Sequence, residues 1–224
     1  MVYVSSFQAL PNISVPSSTE LGSNSPRTPV VPPVCYVNKS VLAESLPAIL
    51  ASGGNAIVIQ HHLGLKVLSK FLARVPDERT IKSVQELHLP WEYAFSPHLY
   101  PGTLDLPFAC QGLRTLSLQV EAMLCFHKVY EANGVVVHTF KSAQEVTSFF
   151  KLRQVFELPM LRSLTIRCCG GDHMAKQVGC KPEDIFANLV SVASAEADKK
   201  SADFELMFKF NEWSGQAWGF CRWS

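Results

Sequence analysis

The chain has 224 residues, 47% hydrophobic and 17% charged, and its 20 Lys+Arg against 19 Asp+Glu leave a formal net charge of +1. This is a globular mixture long enough for a sizeable core, and it has no field of one sign to draw nucleic acid or an anionic membrane to its surface. No apolar stretch approaches the ~20 residues that cross a bilayer, and the opening residues lack the charged start and long apolar core of a secretory signal. The sequence is therefore expected to be intracellular, cytoplasmic or nuclear, with no nucleic-acid or membrane partner.

Residues 1–34 hold Pro11, Pro16, Pro26, Pro29, Pro32 and Pro33, with Ser, Thr and Asn filling much of the space between. They show no helix or strand period and too little apolar area to offset ordering entropy, which predicts a disordered tail. Residues 35–224 read as a single domain. "NKSVLAESLPAIL" predicts a short helix disturbed near Pro47. "GGN" predicts a turn, and "AIVI" (Ala56 to Ile59) a short apolar strand. Leu65, Leu68, Phe71, Leu72 and Val75 fall on one face of an amphipathic helix that ends before Pro76.

"SVQELHLPW" is the next strand, with Val84, Leu87 and Leu89 as its apolar positions. Residues 92–110, with Pro97, Pro101, Gly102 and Pro107, read as a long loop. "GLRTLSLQV" and "GVVVHTF" (Gly134 to Phe140) are strands. Ser142 with Glu145 forms a capping box that starts a helix through Val146, Phe149, Phe150 and Leu152. "LRSLTIRC" is again a strand, closed by a turn at Gly170-Gly171-Asp172. Pro182, Glu183 and Asp184 suit the first turn of a helix that buries Ile185, Leu189 and Val192. "DFELMFKF" alternates with Phe204, Leu206, Phe208 and Phe210 on one side. The tail after it, which carries Trp213, Trp218 and Trp223, is its expected hairpin partner. Alternation of strand and helix gives the class as α/β or α+β.

Three strands share a frame. Val84-Gln-Glu-Leu87-His-Leu89, Leu113-Arg-Thr-Leu116-Ser-Leu118 and Leu161-Arg-Ser-Leu164-Thr-Ile166 each place apolar residues first, fourth and sixth. This is the strand portion of a leucine-rich repeat, at irregular spacing and without its asparagine position, so the expectation is an irregular leucine-rich-repeat-like array. An ordinary sheet of similar strands is the alternative.

The order of elements in "CYVNKSVLAESLPAILASGGNAIVI" and "LGLKVLSKFLARVPDERTIKSVQELHLPWEY" resembles a widespread fungal domain of unknown function that commonly follows an F-box. The resemblance rests on Glu44-Ser45-Leu46-Pro47, Asn55 to Ile59, Leu65 to Pro76 and Leu87-His-Leu-Pro-Trp91, and extends more weakly to about residue 168. It implies a fungal intracellular protein, sometimes attached to ubiquitin-ligase adaptors, and supplies no catalytic residues. "ALPNI" (Ala9 to Ile13) is followed by serine and proline rather than the helices of an F-box.

The seven cysteines, Cys35, Cys110, Cys125, Cys168, Cys169, Cys180 and Cys221, form no Cys-x-x-Cys pair and read as reduced thiols. A zinc site from Cys168, Cys169, His173 and Cys180 and a cysteine nucleophile in the same region are the chemical alternatives, as is the weaker Cys125-Phe-His127. Neighbouring strand residues point to opposite faces, so Cys168 is expected inside with Leu164 and Ile166, and Cys169 outside with Thr165 and Arg167. His61-His62 reads as a solvated pair. The leading expectation is a non-catalytic protein-interaction module without a cofactor, whose strands present His88, Arg114, Ser117, Arg162 and Thr165 to a protein partner. Its rivals are a ubiquitin-ligase substrate receptor and an enzyme using the Cys168–His173 region.

Overall fold

Period-two apolar runs and helical stripes alternate along this chain, and the fold follows them. In the computed structural model, residues 13–15, 39–51, 56–59, 62–75, 79–89, 104–131 and 134–211 are described. The strands are β1 (Ile13–Val15), β2 (Ile57–Ile59), β3 (Glu86–Leu89), β4 (Thr115–Glu121), β5 (Phe126–Tyr130), β6 (Val136–Phe140), β7 (Ser163–Cys169) and β8 (Glu205–Asn211). The helices are α1 (Lys39–Ala51), α2 (His62–Arg74), α3 (Arg79–Lys82), α4 (Asp105–Ala109), α5 (Ala143–Phe149), α6 (Leu152–Phe156), α7 (Gly171–Val178), α8 (Pro182–Ile185) and α9 (Ala187–Ala197).

Among the described residues the main sheet has six strands in the order β1-β2-β3-β4-β7-β8, and every neighbouring pair is parallel. The class is therefore α/β, with crossover helices between strands, as parallel pairing requires. The sheet grows in one direction only. It lacks the reversal of strand order at which doubly wound sheets open a ligand crevice. Among the described residues β5 and β6 pair only with each other, as an antiparallel hairpin inserted between β4 and β7.

The shared frame becomes a physical ladder. Leu87, Leu116, Leu164 and Leu206 lie side by side, as do Leu89, Leu118, Ile166 and Phe208. Leu87, Leu89, Leu116, Leu118, Leu164 and Ile166 are each 0% exposed, so these two rows form the centre of the core. Slippage by one residue would carry both rows to the opposite face of the sheet, into the places of Ser117 and Thr165, and this fixes the register. At the edge strand β8, Leu206 and Phe208 are only half-buried.

Several local expectations differ from the structure. α1 covers the segment expected to be helical and continues past Pro47, burying Leu46, Ile49 and Leu50. Ile13–Val15, inside the segment read as a disordered tail, pairs with β2; the rest of that tail lies outside the described residues. So do the "GGN" turn, Trp91, most of the 92–110 loop, and the tryptophan-bearing tail after β8. The described end of that loop is helical: α4 forms around Pro107, whose missing N–H costs nothing in a first turn. Gly170-Gly171-Asp172 is no free turn, because Gly170, in the left-handed region at φ 75°, leads directly into α7. The predicted helix through Leu152 divides at Lys151, whose φ of 50° breaks α5 from α6.

Candidate functional site

The expected binding face is brought into line but not presented. His88, Ser117 and Thr165 occupy one row across β3, β4 and β7. Ser117 is only 4% exposed and Thr165 7%, which corrects the expectation that they face a partner. Burial of an outward strand position depends on chain segments remote in sequence, so alternation alone cannot read it. His88 is half-buried and bonds Glu86 Oε1 through Nε2 at 2.8 Å. Arg114 and Arg162 are exposed at the sheet's N-terminal rim. There the Arg114 carbonyl accepts from the N–H groups of Arg162 and Ser163 at 2.8 and 2.9 Å.

The cysteine region also divides. Cys168 sits in the core beside Leu164 and Ile166, and burial pushes its thiol well above the usual range, with the neighbouring thiols Cys125 and Cys169 adding to the effect. Cys169 is 3% exposed, which corrects the expectation of an outer-face thiol. Cys180 is half-buried and donates from Sγ to the Lys181 carbonyl at 3.4 Å. Burial, then Asp184, raises its pKa. Burial likewise pushes Cys110 and Cys125 up to about 12. A nucleophile needs the opposite shift. Among the described residues no group of three or more His, Cys, Asp or Glu could hold a metal ion.

The Ser142, Glu145 and His127 side chains meet but do not form a nucleophile triad. Glu145 Oε2 accepts from Ser142 N and Oγ at 2.8 and 2.7 Å, while Glu145 Oε1 meets His127 Nε2 at 3.0 Å. The serine hydroxyl donates to the carboxylate rather than to an imidazole, so the serine–imidazole contact of such a triad is not made. These contacts, the Ser142 bonds first, hold the Glu145 carboxyl below its ordinary range. They are the predicted capping box, and they tie β5 to α5.

The hairpin is the feature that sequence reading missed. "FHKVYEANGVVVHTF" carries alternation around Asn133-Gly134, a hairpin signal, but only its second half reads as a strand without the tertiary pairing. Phe126 packs in the core, and Lys141 fixes the base. The buried Lys141 ammonium donates to the carbonyls of Leu124 and Phe126 at 2.6 and 2.7 Å and lies 4.4 Å from the centre of the Phe149 ring. Toward the tip, Val129, Tyr130, Val135 and Val136 are 46%, 72%, 52% and 41% exposed.

One face of the hairpin closes a cleft of about 410 Å³ against the C-terminal ends of β4 and β7 and the side of α7. Register places Lys128 opposite His138 and Tyr130 opposite Val136 on that face. Glu121, Cys169 and Gly170 form the sheet end of the cleft, and His173, Met174 and Gln177 the helical wall. His173 Nε2 lies 3.0 Å from Gln177 Nε2. His138 stacks edge-on against Phe126, and its Nδ1 is buried without a hydrogen-bond partner among the described residues.

Compared with known proteins, the chain matches no family model, no curated protein and no solved structure. Among the described residues no helix is long and apolar enough to cross a membrane.

Proposed function

We propose that this chain is a non-catalytic protein-interaction module, and that the β5–β6 hairpin is its contact element. The supporting observation is the hairpin's exposed apolar tip on a two-stranded sheet. A two-stranded ribbon is marginal by itself in water. Unpaired strand edges with apolar side chains accept a further strand, and main-chain bonds then supply affinity. The partner is accordingly an extended segment of another protein that pairs along the hairpin and covers Val129 and Val135, which lie outside the cleft lining. His88, Arg114 and Arg162 remain as a separate polar rim around the array.

The test is affinity purification of the full chain from its native cells, followed by reconstitution of each recovered protein with purified chain. Direct binding abolished by Val129→Glu with Val135→Glu, in a chain that unfolds at the wild-type temperature, is the expected result. A purified partner whose affinity is unchanged by both substitutions would rule out the hairpin as the contact. If the reconstituted partner is a ubiquitin-ligase adaptor, the module is the substrate-receptor part of a ligase.

A further inference from the structure

The face of the hairpin turned toward α7 has a different chemistry from its tip. In an antiparallel pair, directly opposed side chains stand about 5 Å apart and like charges there are unfavourable. Lys128 and His138 are such a pair, and the residue pairs flanking them on the same face are Phe126/Phe140 and Tyr130/Val136. A cation and an imidazole are thus held side by side inside an apolar strip. Across the cleft stand His173 and Gln177, with Met123 and Met174 giving it apolar walls.

Donors dominate this lining. Lys128 offers an ammonium, Gln177 an amide, Tyr130 a phenol, and each imidazole an N–H, while Glu121 is the one carboxylate among the described lining residues. His138 contributes a buried Nδ1 that has no hydrogen-bond partner among the described residues. A buried polar atom left unsatisfied carries a desolvation penalty that a bound group can relieve. The volume, about 410 Å³, falls at the small end of the range for organic ligands. The cleft lies at the carboxyl ends of the adjacent parallel strands β4 and β7.

We propose that the cleft between the β5–β6 hairpin and α7 binds a small organic anion, its carboxylate or phosphate held by Lys128 and His138 and its apolar body seated against Met123 and Met174. Charge-assisted bonds from Lys128 orient the head group. The thioethers adapt to the shape of the body. The ligand lies beneath the hairpin, while the protein partner proposed above pairs along its edge, so either can fail without the other.

The experiment is an NMR titration of the full chain with labelled methionine methyls and imidazoles, using phenyl phosphate, 3-phenylpropionate, inorganic phosphate and benzyl alcohol as probes. Saturable shifts centred on Met123, Met174 and His138 are expected for phenyl phosphate or 3-phenylpropionate, and the tighter of the two identifies the head group. Benzyl alcohol, and the anions with Lys128→Gln, should bind at least about tenfold more weakly. Inorganic phosphate should shift His138 without moving the methionine methyls. Lys128 is exposed, so its substitution leaves the fold intact; His138→Gln is the second variant and should give the same loss. Absence of saturation by either organic anion at about 20 mM would overturn the proposal, as would equal binding of benzyl alcohol or undiminished binding to Lys128→Gln.

Discussion

Replacing Lys141 with methionine tests what holds the hairpin to the body of the protein. Lys141 is 8% exposed, and its ammonium makes two short bonds, to the carbonyls of Leu124 and Phe126. Methionine keeps most of the stem's volume and its packing on Phe149. It leaves two buried acceptors without a donor, each costing about 1–3 kcal/mol, and removes a cation–π contact of about 1 kcal/mol. The opposing term is relief from burying an ammonium, the same effect that lowers the Lys141 pKa. Because that relief is partial, a net loss of about 3 kcal/mol is expected, which in a chain of this length is roughly 6–12 °C in Tm. Urea and thermal unfolding followed by circular dichroism measure it. Lys128→Met, an exposed site on the same hairpin, is the control and should stay within about 0.5 kcal/mol of wild type. If Lys141→Met unfolds at the wild-type midpoint with an unchanged urea slope, the ammonium does not anchor the hairpin. Hydrogen exchange adds a local readout: amides of β5 and β6 should exchange faster in the variant, while those of β4 and β7 should follow global stability only.

Two further outcomes follow from burial. A Cβ at Gly112 would stand 2.0 Å from the Lys82 carbonyl oxygen, a backbone atom with no flexible side chain to move aside. Gly112→Ala should therefore cost several kcal/mol, on the order of 3 or more, visible as a lowered unfolding midpoint or loss of soluble protein; an unchanged midpoint would show that the α3–β3 segment yields easily. Alkaline stability tests the thiols. Cys110 and Cys125 are held protonated up to about 12, against an ordinary value of 9.0. The folded state keeps protons that the unfolded state releases, so their contribution is complete below pH 9.0 and is lost as pH rises toward 12, by about 1.4 kcal/mol per unit for each thiol. The lowered pKa of Lys141 acts the other way below its ordinary 10.5, because there the unfolded chain binds more protons. The net slope of urea midpoints above pH 9.0 should still be downward, and Cys110→Ala should flatten it.

The contrast between β4 and β5 explains what can be read in advance. "LRTLSLQV" carries its apolar residues at strand spacing and shares its frame with the segments that become β3 and β7, so the strand and its likeness to those two are legible. The Ser142–Glu145 capping box is equally local, since both partners lie within one helical turn. β5 contains a histidine, a lysine and an exposed tyrosine, and it forms because β6 pairs with it and Lys141 secures its base. α4 was hidden by Pro107.

The sequence by itself determined the strand frame shared by Leu87, Leu116 and Leu164, because period-two hydrophobicity is a property of neighbouring residues, while the parallel pairing and one-directional order were decided by the packed sheet. Tertiary structure alone decided which outward positions meet solvent. Ser117, Thr165 and Cys169 alternate as surface residues yet are buried, because their cover comes from elements distant along the chain. It also brought Lys128, His138 and His173 to one cleft, across a sequence gap that no spacing rule bridges. Local period is carried by the chain, whereas a site is carried by the approach of segments, and that approach depends on the free energy of the whole packed arrangement.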